Sequence, residues 1–238
     1  MIVIPMAGLS SRFFKAGYNK PKYMLLAHGI TLFDHAILSF QAYFDTLPFL
    51  FIVRSEYDTP SFVETSCRKL GIKNYQIKVL TAETRGQAET VYLGLKDIED
   101  DMPITIFNID TFRPNFTLPE LVSDCDGYLE VFKGKGSNWS YAKPLSSTSN
   151  RVIETAEKNP ISDLCSTGLY HFSYAKDFKR IFNLEATRPI SEWQKQELYI
   201  APLYNHMISE GKDIRYNLID RSDVIFCGVP DEYLDFIQ

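Results

Sequence analysis

Residues 2–12 read IVIPMAGLSSR, and a proline and a lysine follow at Pro21 and Lys22. The apolar run 2–6 has the length of a buried strand, and it leads into a turn of small residues that carries one cation, Arg12. A second cation, Lys22, projects from a point that the proline makes rigid. This order of residues predicts a strand followed by an anion-binding loop.

The residue types of this loop suit a triphosphate. Gly8 lets the backbone approach an anion, and Ser10 and Ser11 add hydroxyl donors to the free N–H groups of the turn. Arg12 offers a planar fork of donors for phosphate oxygens, whereas Lys22 offers a compact charge that can follow a moving one. The alternative is a plain strand-to-loop connection with solvated cations, and the proline before Lys22 favours the phosphate interpretation.

Length and composition bound the class of protein. The chain has 238 residues, of which 45% are hydrophobic, and this is enough for one large α/β domain. A net charge of −5 gives no reason to expect nucleic acid as a partner. Without a long apolar run or a charged segment before the first strand, we expect no membrane span and no signal peptide, hence a cytoplasmic protein. The sequence leaves a homo-oligomer open.

Hydrophobic periodicity predicts strands that alternate with helices in the first half. Strands are expected at 49–53, 76–80 and 104–107, and helices at 32–40, 61–70 and 87–98. In the second half we expect strands at 126–132, 139–143 and 151–157, and a helix at 191–207. Alternation implies parallel pairing, with ligands at the carboxyl ends of the strands.

The pattern A-G-x-[GS]-[ST]-R-F followed by K-P-K resembles the signature of the sugar-phosphate nucleotidyltransferases, or nucleoside-diphosphate-sugar pyrophosphorylases. The resemblance implies a Rossmann-like three-layer α/β fold with a mostly parallel mixed central sheet. It implies one domain, 1–238, in which 1–115 bind the nucleotide and 116–238 the acceptor. Arg12 and Lys22 would be catalytic, and the loop residues that would bind the triphosphate are Ala7, Gly8, Leu9, Ser10 and Ser11. Ser10 stands where many relatives have glycine.

Residues 84–90, TRGQAET, form the next informative stretch. A glycine turn that caps a helix is one interpretation. The stretch also resembles the family's Q-G-x-A-x-A segment, which implies that Gly86, Gln87 and Ala88 bind the nucleobase. Arg85 replaces the usual glutamine, so CTP, UTP and dTTP all stay open.

Asp110 follows an apolar strand, at the point where an α/β protein presents a carboxylate to bound phosphates. Mg²⁺ takes oxygen ligands and keeps substrate phosphates in its shell, so one aspartate is a reasonable anchor. The alternative is a surface aspartate that initiates a turn. By resemblance Asp110 is the metal ligand, but Phe226 stands where many relatives have a second metal-binding aspartate. Asp223 is the second metal candidate, from a shifted backbone.

The second half carries Glu157-Lys158 and then T-G-L-Y at 167–170. These elements resemble the family's E-K and T-G-[LI]-Y motifs, in which the glutamate contacts the sugar and the lysine its phosphate. A second phosphate needs its own cation, which Lys158 supplies, although a solvated Glu-Lys pair is the alternative. The expected acceptor-binding residues are Asn108, Tyr141, Glu157, Lys158, Thr167 and Gly168.

The motifs together predict a Mg²⁺-dependent nucleotidyltransferase that joins CTP, UTP or dTTP to a sugar 1-phosphate or another small phosphate and releases pyrophosphate. Family membership suggests a role in capsule or surface-glycan precursor synthesis. No general base is needed, because an acceptor phosphate is already ionised near neutral pH. Two alternatives are a glycosyltransferase that uses a nucleotide sugar and, because of Phe226, an inactive nucleotide-binding regulatory protein.

Overall fold

The computed structural model describes all 238 residues. The strands are β1 Ile2–Pro5, β2 Leu26–Ala27, β3 Ile30–Thr31, β4 Phe49–Arg54, β5 Tyr75–Leu80, β6 Ile104–Phe107, β7 Thr111–Phe112, β8 Gly127–Lys133, β9 Ser140–Pro144, β10 Val152–Glu157, β11 Leu164–Phe172, β12 Ile214–Ile219 and β13 Ile225–Phe226. The α-helices are α1 Ser11–Lys15, α2 Leu32–Leu38, α3 Thr59–Leu70, α4 Gln87–Gly94, α5 Ala175–Ala186, α6 Tyr204–Ser209 and α7 Pro230–Ile237. None of these helices has the length and apolar character that crossing a bilayer requires.

Packing divides the chain into two compact units. The N-terminal unit contains residues 2–83, 107–117 and 222–238, and the central unit contains residue 1, 84–106 and 118–221. The predicted halves, 1–115 and 116–238, have different boundaries from these two units, each of which is made of several separate stretches of sequence. They stay a prediction about which substrate each part of the chain binds.

The N-terminal unit is built on three parallel strands. β4 pairs with β1 on one side and with β5 on the other. All four residues of β1 and the first five of β4 are buried, because helices cover a parallel sheet on both faces. Helix α3 connects β4 to β5 and ends at Gly71, whose φ of 81° is the left-handed value of a helix C-terminus. The predicted alternation of strand and helix is confirmed here.

The central unit contains a mixed sheet. β8 pairs antiparallel with β11 and parallel with β12, and β9 pairs antiparallel with β10 and β11. All nine residues of β11 are buried. The register of β11 against β8 shifts between Ser166 and Tyr170, where Gly168 has a φ of 91° and forms a bulge. With parallel pairing in one unit and mixed pairing in the other, the predicted α/β class is confirmed.

The predicted helix over 191–207 is wrong for most of its length. Residues 190–203 form three short 3-10 turns, and α6 begins only at Tyr204. Glu197 is extended, with φ −138° and ψ 150°. The apolar spacing is therefore real, but the backbone of this segment makes other hydrogen bonds than those of a helix.

His171 lies on β11 and is 3% exposed. Its Nδ1 lies 2.9 Å from the hydroxyl oxygen of Thr105, and its Nε2 has no hydrogen-bond partner. Burial first, and then the charge of the positive N-terminus, together lower the pKa of this imidazole to about 3. The ring is consequently neutral inside the fold.

We predict that the free energy of unfolding decreases as the pH falls below 6.5. The unfolded imidazole then binds a proton that the folded one does not bind until about pH 3, so stability is lost over that interval. This group contributes a slope of up to about 1.4 kcal/mol per pH unit. Urea unfolding of the native chain and of His171→Phe, from about pH 7.5 to about pH 4.5, measures it. Equal slopes for the two chains would contradict the prediction.

Candidate active site

Strand β1 delivers the chain into the loop formed by residues 7–10. The N–H of Met6 makes the last sheet bond, to the carbonyl of Ile52 at 2.9 Å. Ser10 has a φ of 51°, which is uncommon for a residue with a Cβ, and its Oγ accepts a hydrogen bond from the N–H of Lys22 at 3.2 Å. A glycine at this position would supply the φ but not the bond. Ser10 thus joins the two parts of the motif.

Gly8 and Arg12 face away from the rest of the chain. No heavy atom lies within 4 Å of the place where a Cβ on Gly8 would stand, and its φ is not in the left-handed region. Arg12 is exposed, and its guanidinium has no hydrogen-bond or ion-pair partner in the protein. Neither packing nor backbone conformation requires a glycine at residue 8. The space beside the loop is open to a ligand.

Lys22 and Asp110 form an ion pair between Nζ and Oδ2, although 88 residues separate them in sequence. Each side chain is about one-fifth exposed, at 20% and 21%. The backbone carbonyl of Asp110 also accepts a hydrogen bond from the N–H of Cys227 at 2.8 Å. Two residues singled out from the sequence for different roles are therefore each other's partners.

Gly228 lies against the Asp110 carboxylate. A Cβ on this glycine would stand 3.1 Å from Asp110 Oδ2 and 3.5 Å from Glu232 Oε2. Glu232, near the start of α7, accepts hydrogen bonds from the N–H groups of Gly228 and Val229 at 2.8 and 3.2 Å. The glycine therefore gives the Asp110 carboxylate the room that it occupies.

The antiparallel pair β7–β13 decides what stands beside Asp110. Phe226 lies opposite Thr111, so an apolar ring occupies the strand position next to Asp110. Ile225 lies opposite Phe112, one position further from Asp110. Asp223 lies on the 3-10 turn before β13, and its carbonyl accepts a hydrogen bond from Arg113. The structure does not bring Asp223 to Asp110.

In the central unit, the turn at 84–88 packs closely on Leu198. Gly86 has a φ of 147°, and a Cβ on it would stand 2.4 Å from the carbonyl oxygen of Leu198, so only glycine fits. The N–H of Leu198 donates to the carbonyl of Arg85, and the N–H of Ala88 donates to the carbonyl of Leu198, both at 2.9 Å. Gln87 begins helix α4.

The side chain of Arg85 is held on two sides. Its Nε and Nη2 donate to Glu89 Oε1 at 2.8 and 2.5 Å, and its guanidinium carbon lies 5.3 Å from the centre of the Trp193 ring. Burial raises the pKa of the Glu89 carboxyl, but the hydrogen bonds from Arg85 outweigh this and leave the pKa below its ordinary value. The residue that departs from the family's pattern is thus fixed in place.

Lys158 follows β10 and has a φ of 52°. Its N–H donates to the carbonyl of Trp139 at 2.8 Å. Its Nζ donates to the hydroxyl of Tyr199 at 2.5 Å and lies 4.5 Å from the centre of that ring. The Tyr199 hydroxyl in turn donates to Glu197 Oε2 at 2.7 Å. The ammonium is held by Tyr199, and Glu197 in turn holds the tyrosine hydroxyl; the sequence did not predict either residue as part of the site.

Glu157 precedes Lys158 and is 6% exposed. One carboxylate oxygen, Oε2, accepts a hydrogen bond from the Ser140 hydroxyl, and Oε1 lies 3.9 Å from Lys158 Nζ. Burial raises the pKa of this carboxyl, while the bond from Ser140 and the charge of Lys158 act in the opposite direction. Because the Ser140 bond is made to Oε2, Oε1 keeps acceptor capacity for a hydroxyl.

Two residues expected to bind the acceptor are turned into the interior. Tyr141 is fully buried, and its hydroxyl donates to the carbonyl of Gly136. The hydroxyl of Thr167 donates to Glu130 Oε1 at 3.0 Å, and both residues are buried. The structure does not bring their polar groups to Lys158, because each already has an internal partner. Asn108 lies in the N-terminal unit, two residues before Asp110.

The chain thus offers an open loop with an unpaired guanidinium, one lysine paired with a carboxylate and another held by a tyrosine. These are the features of an α/β enzyme that handles phosphate groups. A scan against protein-family models and a comparison with curated proteins find no match.

Solved structures do match. The nucleoside-diphosphate-sugar pyrophosphorylase from Vibrio cholerae RC9 is 60% identical, over 100% of this chain and 99% of that one, with a TM-score of 0.96. An inositol-1-phosphate CTP transferase from T. maritima is 14% identical, over 97% of this chain and 89% of that one, with a TM-score of 0.73. A UTP-bound UGPase from Acinetobacter baumannii is 14% identical, over 99% and 91%, with a TM-score of 0.72. The last two show the fold alone.

Identity of 60% over nearly the whole of both chains places this chain in the nucleoside-diphosphate-sugar pyrophosphorylase family. The family predicted from the sequence is therefore confirmed, and the protein is a nucleotidyltransferase of the EC 2.7.7 type. It couples a nucleoside triphosphate to a small phosphate and releases pyrophosphate.

We predict that Gly8→Ala weakens binding of triphosphate at least about tenfold, because its methyl group enters the open space beside the loop. Its melting temperature should stay unchanged, since no protein atom is near. Gly71→Ala is the matched control: its φ of 81° makes the substitution destabilising by about 1 kcal/mol, with binding unaffected. Calorimetric titration with CTP, UTP and dTTP measures triphosphate binding, and thermal melts measure stability, so that the two effects are distinguished in each variant. Native affinity in Gly8→Ala would reject the loop as the triphosphate site.

Proposed function

We propose that the chain joins CTP, UTP or dTTP to a sugar 1-phosphate or another small phosphate. The observation that carries this proposal is that two lysines are held by separate partners, Lys22 by Asp110 and Lys158 by Tyr199. Two phosphates that react with each other each need a cation. A pyrimidine nucleotide is supported by two structural relatives, the CTP transferase from T. maritima and the UTP-bound enzyme from Acinetobacter baumannii.

In this proposal the loop after β1 binds the triphosphate through its backbone N–H groups and the Ser11 hydroxyl. Arg12, which has no partner in the chain, binds phosphate oxygens with its planar fork. Lys22 follows the charge that develops as pyrophosphate departs. The loop residues concerned are Ala7, Gly8, Leu9, Ser10 and Ser11.

The turn at Gly86 binds the nucleobase. Gly86 packs on Leu198 and so fixes the turn, and at the start of α4 Gln87, with Ala88 next to it, presents its side-chain amide to the edge of the base. Glu89 and Trp193 hold the guanidinium of Arg85 in one position. In this proposal Arg85 therefore borders the base-binding turn as a fixed group and not as a mobile charge.

On the acceptor side, Lys158 binds the phosphate and Glu157 Oε1 accepts a hydrogen bond from a substrate hydroxyl. The bulge at Gly168 completes the acceptor residues proposed in the central unit. An ionised phosphate oxygen of the acceptor attacks the α-phosphorus, a new P–O bond forms, and the bond to the β-phosphate oxygen breaks as pyrophosphate leaves. No proton is transferred, so no general base is required.

Sugar nucleotidyltransferases generally use a divalent metal. Asp110 fits Mg²⁺, because its carboxylate is partly exposed and Mg²⁺ is held by as few as one or two carboxylates when substrate phosphates and water complete the shell. With Phe226 beside it, Asp110 would be the protein ligand on this pair of strands. When bound, Mg²⁺ would compensate negative charge on the triphosphate.

The product class points to a role in capsule or surface-glycan precursor synthesis. We place the reaction in the cytoplasm, because nucleoside triphosphates are available there. The identity of the product tests the proposed role in glycan precursor synthesis.

We predict pyrophosphate release when the chain is incubated with Mg²⁺, one of the four ribonucleoside triphosphates or dTTP, and a panel of sugar 1-phosphates and small alcohol phosphates. Product mass identifies the pair. Lys22→Met and Asp110→Asn should each lower turnover by at least about a hundredfold. Near-native turnover in either variant would reject that residue's role.

The same panel tests the alternatives. Release of nucleoside diphosphate from a nucleotide sugar would indicate a glycosyltransferase. Tight nucleotide binding without turnover on any acceptor would indicate the inactive regulatory protein that Phe226 suggests.

A further inference from the structure

The segment 193–199 contacts the proposed base-binding turn at two points. At its start, the Trp193 ring lies under the Arg85 guanidinium, and the indole N–H donates to the carbonyl of Glu185 at 2.9 Å. Near its end, Leu198 exchanges backbone hydrogen bonds with Arg85 and Ala88, both at 2.9 Å. The segment is therefore joined to the turn by backbone as well as by side chain. We call residues 193–199 the bridging segment.

The bridging segment also contacts the acceptor lysine and its neighbour. Gln194 Oε1 accepts a hydrogen bond from the N–H of Glu157 at 2.6 Å. The hydroxyl of Tyr199 accepts one from Lys158 Nζ at 2.5 Å. Leu198 and Tyr199 are consecutive, and each contacts one of the two proposed substrate sites. The backbone of Leu198 bonds to the base-binding turn, and the side chain of Tyr199 bonds to the acceptor lysine, Lys158.

The conformation of this segment is unusual. Lys195 and Gln196 have φ values of 56° and 60°, and Lys158 itself has a φ of 52°. Three non-glycine residues in the left-handed region carry backbone strain, and surrounding contacts must hold them there. The bonds of Gln194 and Leu198 flank Lys195 and Gln196, the N–H of Gln196 donates to the carbonyl of Trp193 at 3.0 Å, and Lys158 is held by Tyr199.

We propose that the bridging segment couples nucleobase binding to acceptor-phosphate binding, and that Tyr199 is the positioning residue through which it acts on Lys158. This inference rests on the proposed function. A base held on the turn fixes Leu198, and the adjacent Tyr199 then holds Lys158 where the acceptor phosphate binds. By linkage, the acceptor strengthens nucleotide binding by the same factor.

The first experiment separates positioning from a merely structural role. It uses the triphosphate–acceptor pair that gives most pyrophosphate in the panel, and Tyr199→Phe, Tyr199→Leu and Tyr174→Phe. The last is a matched control, because Tyr174 carries Lys176 4.8 Å above its ring elsewhere in the same unit. We expect an acceptor KM raised about tenfold in Tyr199→Phe, which keeps the ring but loses the hydroxyl, and more in Tyr199→Leu. The triphosphate KM and the melting temperature should change little, and Tyr174→Phe should match the native chain.

The second experiment measures coupling without turnover. Calorimetry gives the Kd of that acceptor alone and in the presence of the α,β-methylene analogue of that triphosphate, which cannot release pyrophosphate. We expect the native chain to bind the acceptor at least about fivefold more tightly with the analogue present. In Tyr199→Phe this ratio should fall towards one.

The outcomes distinguish this inference from the proposed function. No turnover by the native chain on any pair would reject the proposed function itself. Native turnover with an unchanged acceptor KM in both Tyr199 variants would overturn the inference, as would an equal loss in every kinetic constant together with a lowered melting temperature. A ratio of one in the native chain, or the native ratio in Tyr199→Phe, would also overturn it.

Discussion

The ion pair between Lys22 and Asp110 is the interaction on which the N-terminal unit's site depends. It holds together a lysine that follows a proline and a carboxylate that follows β6, 88 residues apart. Gly228 leaves room for that carboxylate, and Ser10 ties the loop to the backbone of Lys22. In the resting protein, each charged group is neutralised by the other. A triphosphate must therefore compete with Asp110 for Lys22.

In the central unit, the cation Lys158 has a tyrosine as its hydrogen-bond partner and only a long ion pair with a carboxylate. Lys158 Nζ bonds to a tyrosine hydroxyl and faces its ring, while the nearest Glu157 oxygen lies 3.9 Å away. Such a cation is fixed in direction but keeps its charge for a phosphate. Close packing of Leu198 on Gly86 extends the same constraint to the turn. Small residues and backbone bonds, rather than charge alone, set the geometry of this unit.

The sequence predicts the strands and the loop of the first half well, because local periodicity and a glycine-serine turn are local signals. It also predicts Lys22 and Asp110 as site residues, but not as partners, since their pairing depends on the packing of distant segments. Tyr199 was missed because its apolar spacing resembles that of a helix, whereas Leu198 uses its backbone to pair with the turn. Thr167 matches a family motif by position and Tyr141 is an aromatic residue expected to contact the acceptor, yet internal hydrogen bonds engage the hydroxyl groups of both. Motif spacing does not reveal which way a strand residue points.

The competition between Asp110 and a phosphate for Lys22 has a direct test. Triphosphate binding is measured by calorimetry in the absence of divalent metal, for the native chain, Asp110→Asn and Lys22→Met. Since Asp110→Asn releases Lys22 from its partner, this variant should bind metal-free triphosphate several-fold more tightly than the native chain, and Lys22→Met should bind it more weakly. Equal or weaker metal-free binding by Asp110→Asn would contradict the account.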